Sequence, residues 1–364
     1  MSKLPLIDIF ALGGTIAMAP DQDDPDQEEN QNLSQKSGQK SGQKSGEKVD
    51  QRGCQSKGVA PTLTAADLVR SIPQLNDIAC IRAETLTNVA SANLNFEIIK
   101  NLCEKAAASD ADAVIVTQGT DTLEETSFLA KLIYKGDKPL VFTGAMRSPN
   151  QLSNDGPANL YAAVLAAGYL KRRSVCVVMD NQIHNPLHVQ KTHTWSLDAF
   201  KSEFGEIGFI SENQVFGITK DYNDELDALS VFNLSSIVNI GNVAYLPASL
   251  GDDGSILDVL KGHFDGFVID SYGAGHVSEM WADKLKTLCQ SVPVVLASQT
   301  RNGRVLEATY GYVGAEIDLL SSGIISADHL SGKKARILLS LLISQKNKAV
   351  KESFTQIVEI LRKP

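Results

Sequence analysis

Short apolar runs alternate with segments of helical periodicity along most of the chain, and this alternation limits the fold more than any other feature. The first run, Leu4–Leu12, contains β-branched residues and predicts a buried strand. Three further strands are predicted in the first half of the chain, at Asp112–Thr117, Pro139–Thr143 and Val175–Met179. Helices are predicted at residues 64–71, Phe96–Ala108, Thr122–Tyr134 and Pro157–Leu170. Alternation at these intervals is typical of right-handed βαβ units in a parallel sheet.

A polar stretch, Thr219–Leu226, interrupts this pattern before it restarts. Later strands are predicted at Asn242–Leu246, Phe267–Asp270 and Val294–Ala297, and later helices at Ser255–Leu260, Val277–Gln290, Lys333–Ser344 and Val350–Arg362. A chain of 364 residues is long enough for about two domains. We therefore expect an α/β fold with a larger N-terminal domain of parallel or mixed sheet over residues 1–215. A smaller C-terminal α/β domain would cover residues 236–364, after a linker at 216–235.

One segment is unlike the rest of the chain. Asp21–Asn30 holds six acidic residues, and Gln35–Gly46 repeats Gln-Lys-Ser-Gly three times. Such a low-complexity segment has too little apolar content to offset the entropy cost of ordering itself. We expect residues 20–58 to form a mobile insertion in a loop.

Charge and composition favour a small-molecule function. The formal net charge is -9 and no lysine- or arginine-rich stripe is present, so nucleic acid and anionic membranes are poor partners. No apolar run reaches transmembrane length and no secretory signal is evident, which predicts a cytoplasmic protein. The five cysteines are scattered, and the histidines lack metal-ligand spacing. We expect neither a metal nor another cofactor.

Two glycine-threonine motifs follow predicted strands, where ligands of open parallel sheets bind. Gly13-Gly14-Thr15 follows the first strand, and Gly119-Thr120-Asp121 follows the second. Glycines let a ligand approach the backbone and would present the threonine hydroxyls at the crevice. Plainer readings remain: Thr15 could be a structural turn residue, and Asp121 or Thr122 could be an N-cap, with Glu124 or Glu125 completing a capping box.

Two other polar positions are candidates. Ser91, in Ser91-Ala92-Asn93, could bind a substrate carboxylate or could simply cap the helix that begins near Phe96. Lys191 could be a solvated surface lysine, or a base if it folds back beside Thr120 and Asp121.

These residues together suggest the hydrolysis of an amide. A neutral hydroxyl needs an adjacent base to become a nucleophile, and an amide needs donors for its developing oxyanion. The chain has no G-x-S-x-G motif, and no cysteine lies at a predicted crevice. Threonine is therefore the best candidate nucleophile, with a second threonine in a threonine–lysine–aspartate relay.

The motifs resemble those of the bacterial-type L-asparaginase family, and the resemblance spans nearly everything except residues 20–58. The matching segments are Gly13–Ala17, Gln118–Thr122, Thr143–Arg147, Asp155-Gly156-Pro157, Asn159–Tyr161, Lys191-Thr192 and Lys334–Arg336. The resemblance implies a smaller, flavodoxin-like C-terminal domain and active sites at the intimate dimer interface of a homotetramer. It also implies L-asparagine as the substrate, with glutamine hydrolysis as a broader alternative.

The resemblance assigns a role to each candidate. Thr15 would be the nucleophile that forms a β-aspartyl ester, and Thr120, Lys191 and Asp121 would form the relay. Asp121 would also bind the substrate α-amino group and Ser91 the α-carboxylate. The remaining substrate contacts would come from Gly14, Gly119 and Ala92, and Ala92 replaces a glutamine found in some members.

Three departures from the family pattern set further expectations. Gln118 replaces a more frequent histidine, and no tyrosine lies between Thr15 and Tyr134, although the family often supplies one from a lid. Gly273-Ala274-Gly275-His276 stands where many members have an asparagine loop that reaches a partner's site, so His276 either does this or has no role.

Two further readings stay open beside the asparaginases. An amidotransferase subunit acting on misacylated transfer RNA would carry an extra N-terminal domain, whereas this chain begins at the first strand. A non-catalytic amino-acid-binding protein would keep the fold without the lid.

Overall fold

The computed structural model describes residues 4–20, 59–61, 63–170, 172, 174–217, 239–345 and 349–361. Most of the predicted insertion and most of the predicted linker therefore lie outside the described residues. The two flanks of the insertion meet, because Met18–Pro20 pairs antiparallel with Val59–Pro61. Within the described residues, no helix is long and apolar enough to cross a membrane.

The described residues form sixteen strands and nine α-helices. The strands are β1 (Leu6–Ala11), β2 (Met18–Pro20), β3 (Val59–Pro61), β4 (Cys80–Thr85), β5 (Ala113–Thr117), β6 (Pro139–Thr143), β7 (Ser174–Met179), β8 (Gln182–His184), β9 (Val189–Lys191), β10 (Phe200–Ser202), β11 (Gly208–Ser211), β12 (Gln214–Phe216), β13 (Val243–Pro247), β14 (Gly266–Ser271), β15 (Val294–Ser298) and β16 (Ile325–Ser326). The helices are α1 (Ala65–Arg70), α2 (Phe96–Ala108), α3 (Leu123–Ile133), α4 (Gly156–Tyr169), α5 (Ser255–Leu260), α6 (Glu279–Leu288), α7 (Glu316–Ser321), α8 (Gly332–Ser344) and α9 (Val350–Leu361).

The N-terminal part is built on one mixed eight-stranded sheet with the order β12-β11-β8-β7-β6-β5-β1-β4. Its five strands from β7 to β4 run parallel, and β8, β11 and β12 extend it antiparallel. Helices α2 and α3 pack on one face, and α1 and α4 on the other. The predicted mixed α/β architecture is confirmed.

The C-terminal part is a four-stranded parallel sheet with the order β13-β14-β15-β16. Helices α8 and α9 cover one face of this sheet, and α5, α6 and α7 cover the other. The apolar layer beneath α8 is continuous with the layer beneath α3, and the two helices touch. The smaller parallel domain is confirmed, while its boundaries at 215 and 236 stay predictions.

Of the two capping alternatives, the one at Ser91 is wrong, and the one at Thr122 is met in position but not in its side-chain bond. Thr122 is the N-cap of α3, but its side chain makes no capping bond and donates to the carbonyl of Ser91 at 3.0 Å. Ser91 does not cap α2, because Asn95 is the N-cap and its side chain accepts from the N–H of Ile98. Both side chains expected at helix ends instead belong to the crevice.

Candidate active site

The first two loops of the crevice are in direct backbone contact. Gly13 and Gly14 have φ of +99° and +87°, which an L side chain rarely adopts. A Cβ built on Gly14 would lie 1.9 Å from the backbone nitrogen of Gly119. The two glycine-threonine motifs therefore meet only because both carry glycine at the point of contact.

Lys191 lies between the two candidate relay partners on the second motif. Its Nζ donates to Thr120 Oγ1 at 2.8 Å and to Asp121 Oδ1 at 2.7 Å. Thr120 is only 4% exposed, whereas the Asp121 side chain is largely open to solvent. At the carboxyl end of β5, the structure brings Lys191 beside two residues that precede it in sequence by 71 and 70 positions.

The backbone of Lys191 is held as firmly as its amine. Its N–H donates to Glu124 Oε2 at 2.7 Å, and Lys333 from the C-terminal domain donates to Glu124 Oε1 at the same distance. Sequence reasoning assigned Glu124 only to a capping box and did not single out Lys333. The position of Glu124 one helical turn after Asp121 was a usable signal, but nothing local indicates Lys333.

Ser91 lies against the second motif. A Cβ on Gly119 would come within 2.8 Å of Ser91 Oγ, and Ser91 is 4% exposed. Ala92, the next residue, is exposed. Ser91 thus lies against the glycine that precedes Thr120.

Gln118 faces away from the crevice. Its side chain is fully buried, accepts from Thr126 Oγ1 at 2.9 Å and donates to the carbonyl of Gly119 at 3.2 Å. The amide therefore fixes the peptide that precedes Thr120. This placement accounts for a glutamine being tolerated at the position.

The Asp-Gly-Pro segment supports the floor of the crevice from the next strand. Asp155 accepts from the backbone N–H groups of Met146 and Arg147, at 3.0 Å and 2.9 Å. Asn159 donates to Asp155 and to the carbonyl of Gly144. A Cβ on Gly144 would lie 2.5 Å from the Gln118 carbonyl, so this loop packs directly beneath the Thr120 loop.

Thr15 begins a short 3₁₀ turn, Thr15–Ala17, at the mouth of the crevice. Gly14, its neighbour, touches Gly119, which precedes Thr120. The Thr15 side chain is partly exposed, and its hydroxyl makes no hydrogen bond to any described residue. Thr15 is thus on the Thr120 side of the sheet but has few fixed contacts.

His276 is tied into its own domain. Its Nε2 lies 3.1 Å from Glu316 Oε2, and its Nδ1 lies 2.9 Å from the Tyr312 hydroxyl. Burial opposes ionisation of Glu316, but backbone donors from Tyr310 and Thr309 together with His276 outweigh it and hold the pKa of the carboxyl below its ordinary value. The imidazole is therefore ordered by two partners and is not a loose loop residue.

Nothing in the described residues places three or more histidine, cysteine or acidic side chains where they could hold a metal ion. Two threonine hydroxyls, the amine of Lys191 and the carboxylate of Asp121 thus lie beside glycine backbone at this end of the sheet.

Comparison with known proteins identifies the family and agrees with the fold. Residues 46–222 match the family description Asparaginase, N-terminal, and residues 242–354 match Glutaminase/Asparaginase C-terminal domain. L-asparaginase 2 of Bacillus subtilis (strain 168) is 33% identical over 358 residues, covering 94% of this chain and 84% of the relative. Glutaminase-asparaginase of Pseudomonas fluorescens biotype A is 29% identical over 303 residues, covering 79% and 80%.

A solved structure extends the agreement to three dimensions. The probable cytoplasmic L-asparaginase from Campylobacter jejuni superposes with a TM-score of 0.78 at 30% identity, covering 100% of both chains. The chain belongs to the asparaginase family and is an amidohydrolase. The N-terminal family match begins after Thr15, so the place of the first motif in the site rests on the Gly14–Gly119 contact.

Proposed function

We propose that this protein is an L-asparaginase, which hydrolyses L-asparagine to L-aspartate and ammonia. The observation that carries the proposal is the Lys191 ammonium, which donates to both Thr120 and Asp121. Because Lys191 donates to the Thr120 oxygen, the Thr120 proton is directed elsewhere, towards the crevice. Thr120 is then suited to pass a proton to a leaving group, which leaves attack to Thr15.

The proposed reaction has two steps. In the first, the Thr15 hydroxyl oxygen bonds to the side-chain carbonyl carbon, the carbon–nitrogen bond breaks, and the nitrogen leaves as ammonia with the proton that Thr15 gives up. In the second, water adds to the resulting β-aspartyl ester, the ester bond breaks, and the proton returns to Thr15. Backbone N–H groups of the glycine motifs would stabilise the oxyanion of each step.

Substrate binding uses the two ends of the amino acid. The exposed Asp121 carboxylate would bind the α-amino group, and Ser91, packed on Gly119, would bind the α-carboxylate. Ala92 could contact the substrate only through its backbone, because its exposed side chain is a methyl group that cannot hydrogen-bond. Gly14 and Gly119 would let the substrate lie against the backbone.

A second candidate is a glutaminase-asparaginase, favoured by the similarity to the Pseudomonas fluorescens enzyme of that name. The two substrates differ by one methylene, which a pocket distinguishes by about 1–3 kcal/mol. Ammonia release from asparagine and glutamine, measured side by side on the folded protein, separates the readings. Comparable kcat/KM for both amides would favour the enzyme of broader specificity. No ammonia release from either amide would favour a non-catalytic amino-acid-binding protein.

We also infer that the active form is a homo-oligomer, a dimer or tetramer. Tyr272, Tyr310 and Tyr312 form an aromatic surface around the ordered His276, and each is more than one-third exposed. A second copy of the chain would bury this surface. Sedimentation equilibrium of the full chain tests this, because a monomer at micromolar concentration would contradict it.

We infer a cytoplasmic location, since the similar Campylobacter jejuni protein is named as a probable cytoplasmic enzyme. Fractionation of the source cell tests this, and recovery with periplasmic markers would contradict it.

A further inference from the structure

The strand that carries Lys191 is hydrogen-bonded to the C-terminal domain at several points. Among the described residues, β9 pairs with β10 alone, in a two-stranded ribbon outside the large sheet. A short ribbon of this kind is only marginally stable without other contacts. The placement of the Lys191 amine therefore depends on what packs against β9.

The first turn of α8 supplies two of these contacts. Lys333 bonds to Glu124, whose other oxygen accepts the Lys191 N–H. Lys334 is 1% exposed and donates to the carbonyls of Leu187 and Val189, at 2.9 Å and 2.7 Å. Two consecutive lysines thus reach the same strand, one through a carboxylate and the other directly.

Arg301 holds the other side of the ribbon. Its guanidinium donates to the carbonyl of Thr192 at 2.9 Å, and its own carbonyl accepts from Gln190 Nε2 at 3.1 Å. Residues on both sides of Lys191 are therefore bonded to the C-terminal domain.

The Glu124–Lys333 pair is the contact nearest to the amine. The Glu124 side chain is 7% exposed and that of Lys333 is 45% exposed. Burial opposes the charge on Lys333, but the charge and hydrogen bond of Glu124 outweigh it and raise the pKa of the ammonium. The Lys333 ammonium stays charged at neutral pH, and a charge-assisted hydrogen bond to a buried carboxylate is stronger than a neutral one.

We propose that Lys333 and Glu124 are positioning residues for Lys191, so that the C-terminal domain sets the Lys191–Thr120 hydrogen bond. This inference rests on the proposed function for its kinetic consequence. Within the described residues, neither side chain hydrogen-bonds to Thr120 or Asp121, and Lys333 reaches Lys191 through Glu124.

The test compares Lys333→Met with a matched control, Lys286→Met. Lys286 also pairs with one partly buried carboxylate at 2.7 Å, that of Asp318, but it lies within the C-terminal domain away from β9. We expect Lys333→Met to lower kcat about tenfold with KM nearly unchanged, since small misplacements of a catalytic group are costly. Lys333→Arg should recover most of the loss, and Lys286→Met should behave as wild type.

A second readout does not depend on turnover. Hydrogen exchange at the Lys191 amide reports the bond to Glu124, because exchange requires that bond to open. We expect faster exchange in Lys333→Met and wild-type exchange in Lys286→Met. If the wild type releases no ammonia, the proposed function fails, but the exchange difference still decides the positioning.

A double variant tests whether Glu124 and Lys333 act on Lys191 as one linked pair or independently of each other. Glu124→Gln keeps an oxygen for the Lys191 N–H, so Glu124→Gln with Lys333→Met should lose no more activity than the worse single variant. Additive losses, or a Lys333→Met that matches Lys286→Met in both kcat and exchange, would overturn the proposal.

Discussion

The Thr15 and Thr120 halves of the site are built alike but held differently. Each threonine follows a parallel strand and a glycine, and the two loops touch at Gly14 and Gly119. Thr120 is buried and bonded to Lys191, whereas the Thr15 hydroxyl has no bonded partner within the described part of the chain. The fold therefore fixes the Thr120 side chain, while the Thr15 side chain takes its orientation from the backbone turn.

The threonine pair gives the largest expected effect. Thr15→Ala and Thr120→Ala should each lower kcat by about a thousandfold or more, because residues that act as one unit fail together. Their stabilities should differ: Thr120→Ala loses a buried hydrogen bond worth about 1 kcal/mol, and Thr15→Ala loses almost nothing. Ammonia release and thermal melting check both points, and near-normal turnover by either variant would break the comparison.

Removing the relay amine should come next. Lys191→Met should lower kcat about a hundredfold or more, the usual worth of a positioned proton-transfer group. Lys201→Met is the matched control, since Lys201 lies on β10 beside it and pairs with Asp198 at 2.9 Å away from Thr120. Steady-state kinetics on asparagine should show the loss in the first variant only; equal losses would mean that the ribbon, and not the amine, matters.

The contact between the two halves can be broken at Gly14. Gly14→Ala should lower both the melting temperature and kcat, the latter by about a hundredfold, because the new methyl group must push Gly119 away. Gly205→Ala is the control, because it introduces the same kind of backbone strain without a steric clash. Gly205 has a similar φ of +82° with nothing within 4 Å of its built Cβ, so it should cost about 1 kcal/mol of stability and leave kcat unchanged.

The smallest expected effect is on the pH dependence of the free energy of unfolding, through the buried Lys334 that bonds to the segment carrying Lys191. Burial lowers the pKa of Lys334 to about 7 from its ordinary value of 10.5. Between these values the unfolded chain binds the proton and the folded chain does not, so the Lys334 contribution to the free energy of unfolding rises as pH increases from 7. Lys334→Met should remove this rise. Melting of both proteins from pH 6 to 9 checks it, and a constant difference between the two curves would contradict it.

The buried parallel strands other than β16 and the longer helices were predictable because apolar runs and helical periodicity are local properties of the sequence. The edge strand β4 was missed, since its exposed Arg82 and Glu84 break the apolar pattern. The short antiparallel strands β8, β11 and β12 have no long apolar run to mark them. Both glycine-threonine motifs, by contrast, could be located because each follows a predictable strand.

Within the site, the sequence indicated the reacting side chains but not their supports. The Lys191–Thr120 bond joins residues 71 apart, and the Lys333–Glu124 bond joins residues 209 apart. Only the folded domains bring such residues together. The partners of His276 were equally hidden, because Glu316 and Tyr312 belong to a different segment of the C-terminal domain.

The order of events on the two threonines is the central claim. Mixing the enzyme with asparagine, quenching in acid and mapping the peptides by mass spectrometry would locate the β-aspartyl ester. The account predicts the ester on the peptide that contains Thr15 and none on the peptide that contains Thr120. An ester on Thr120 would contradict it and would make Thr15 the assisting residue.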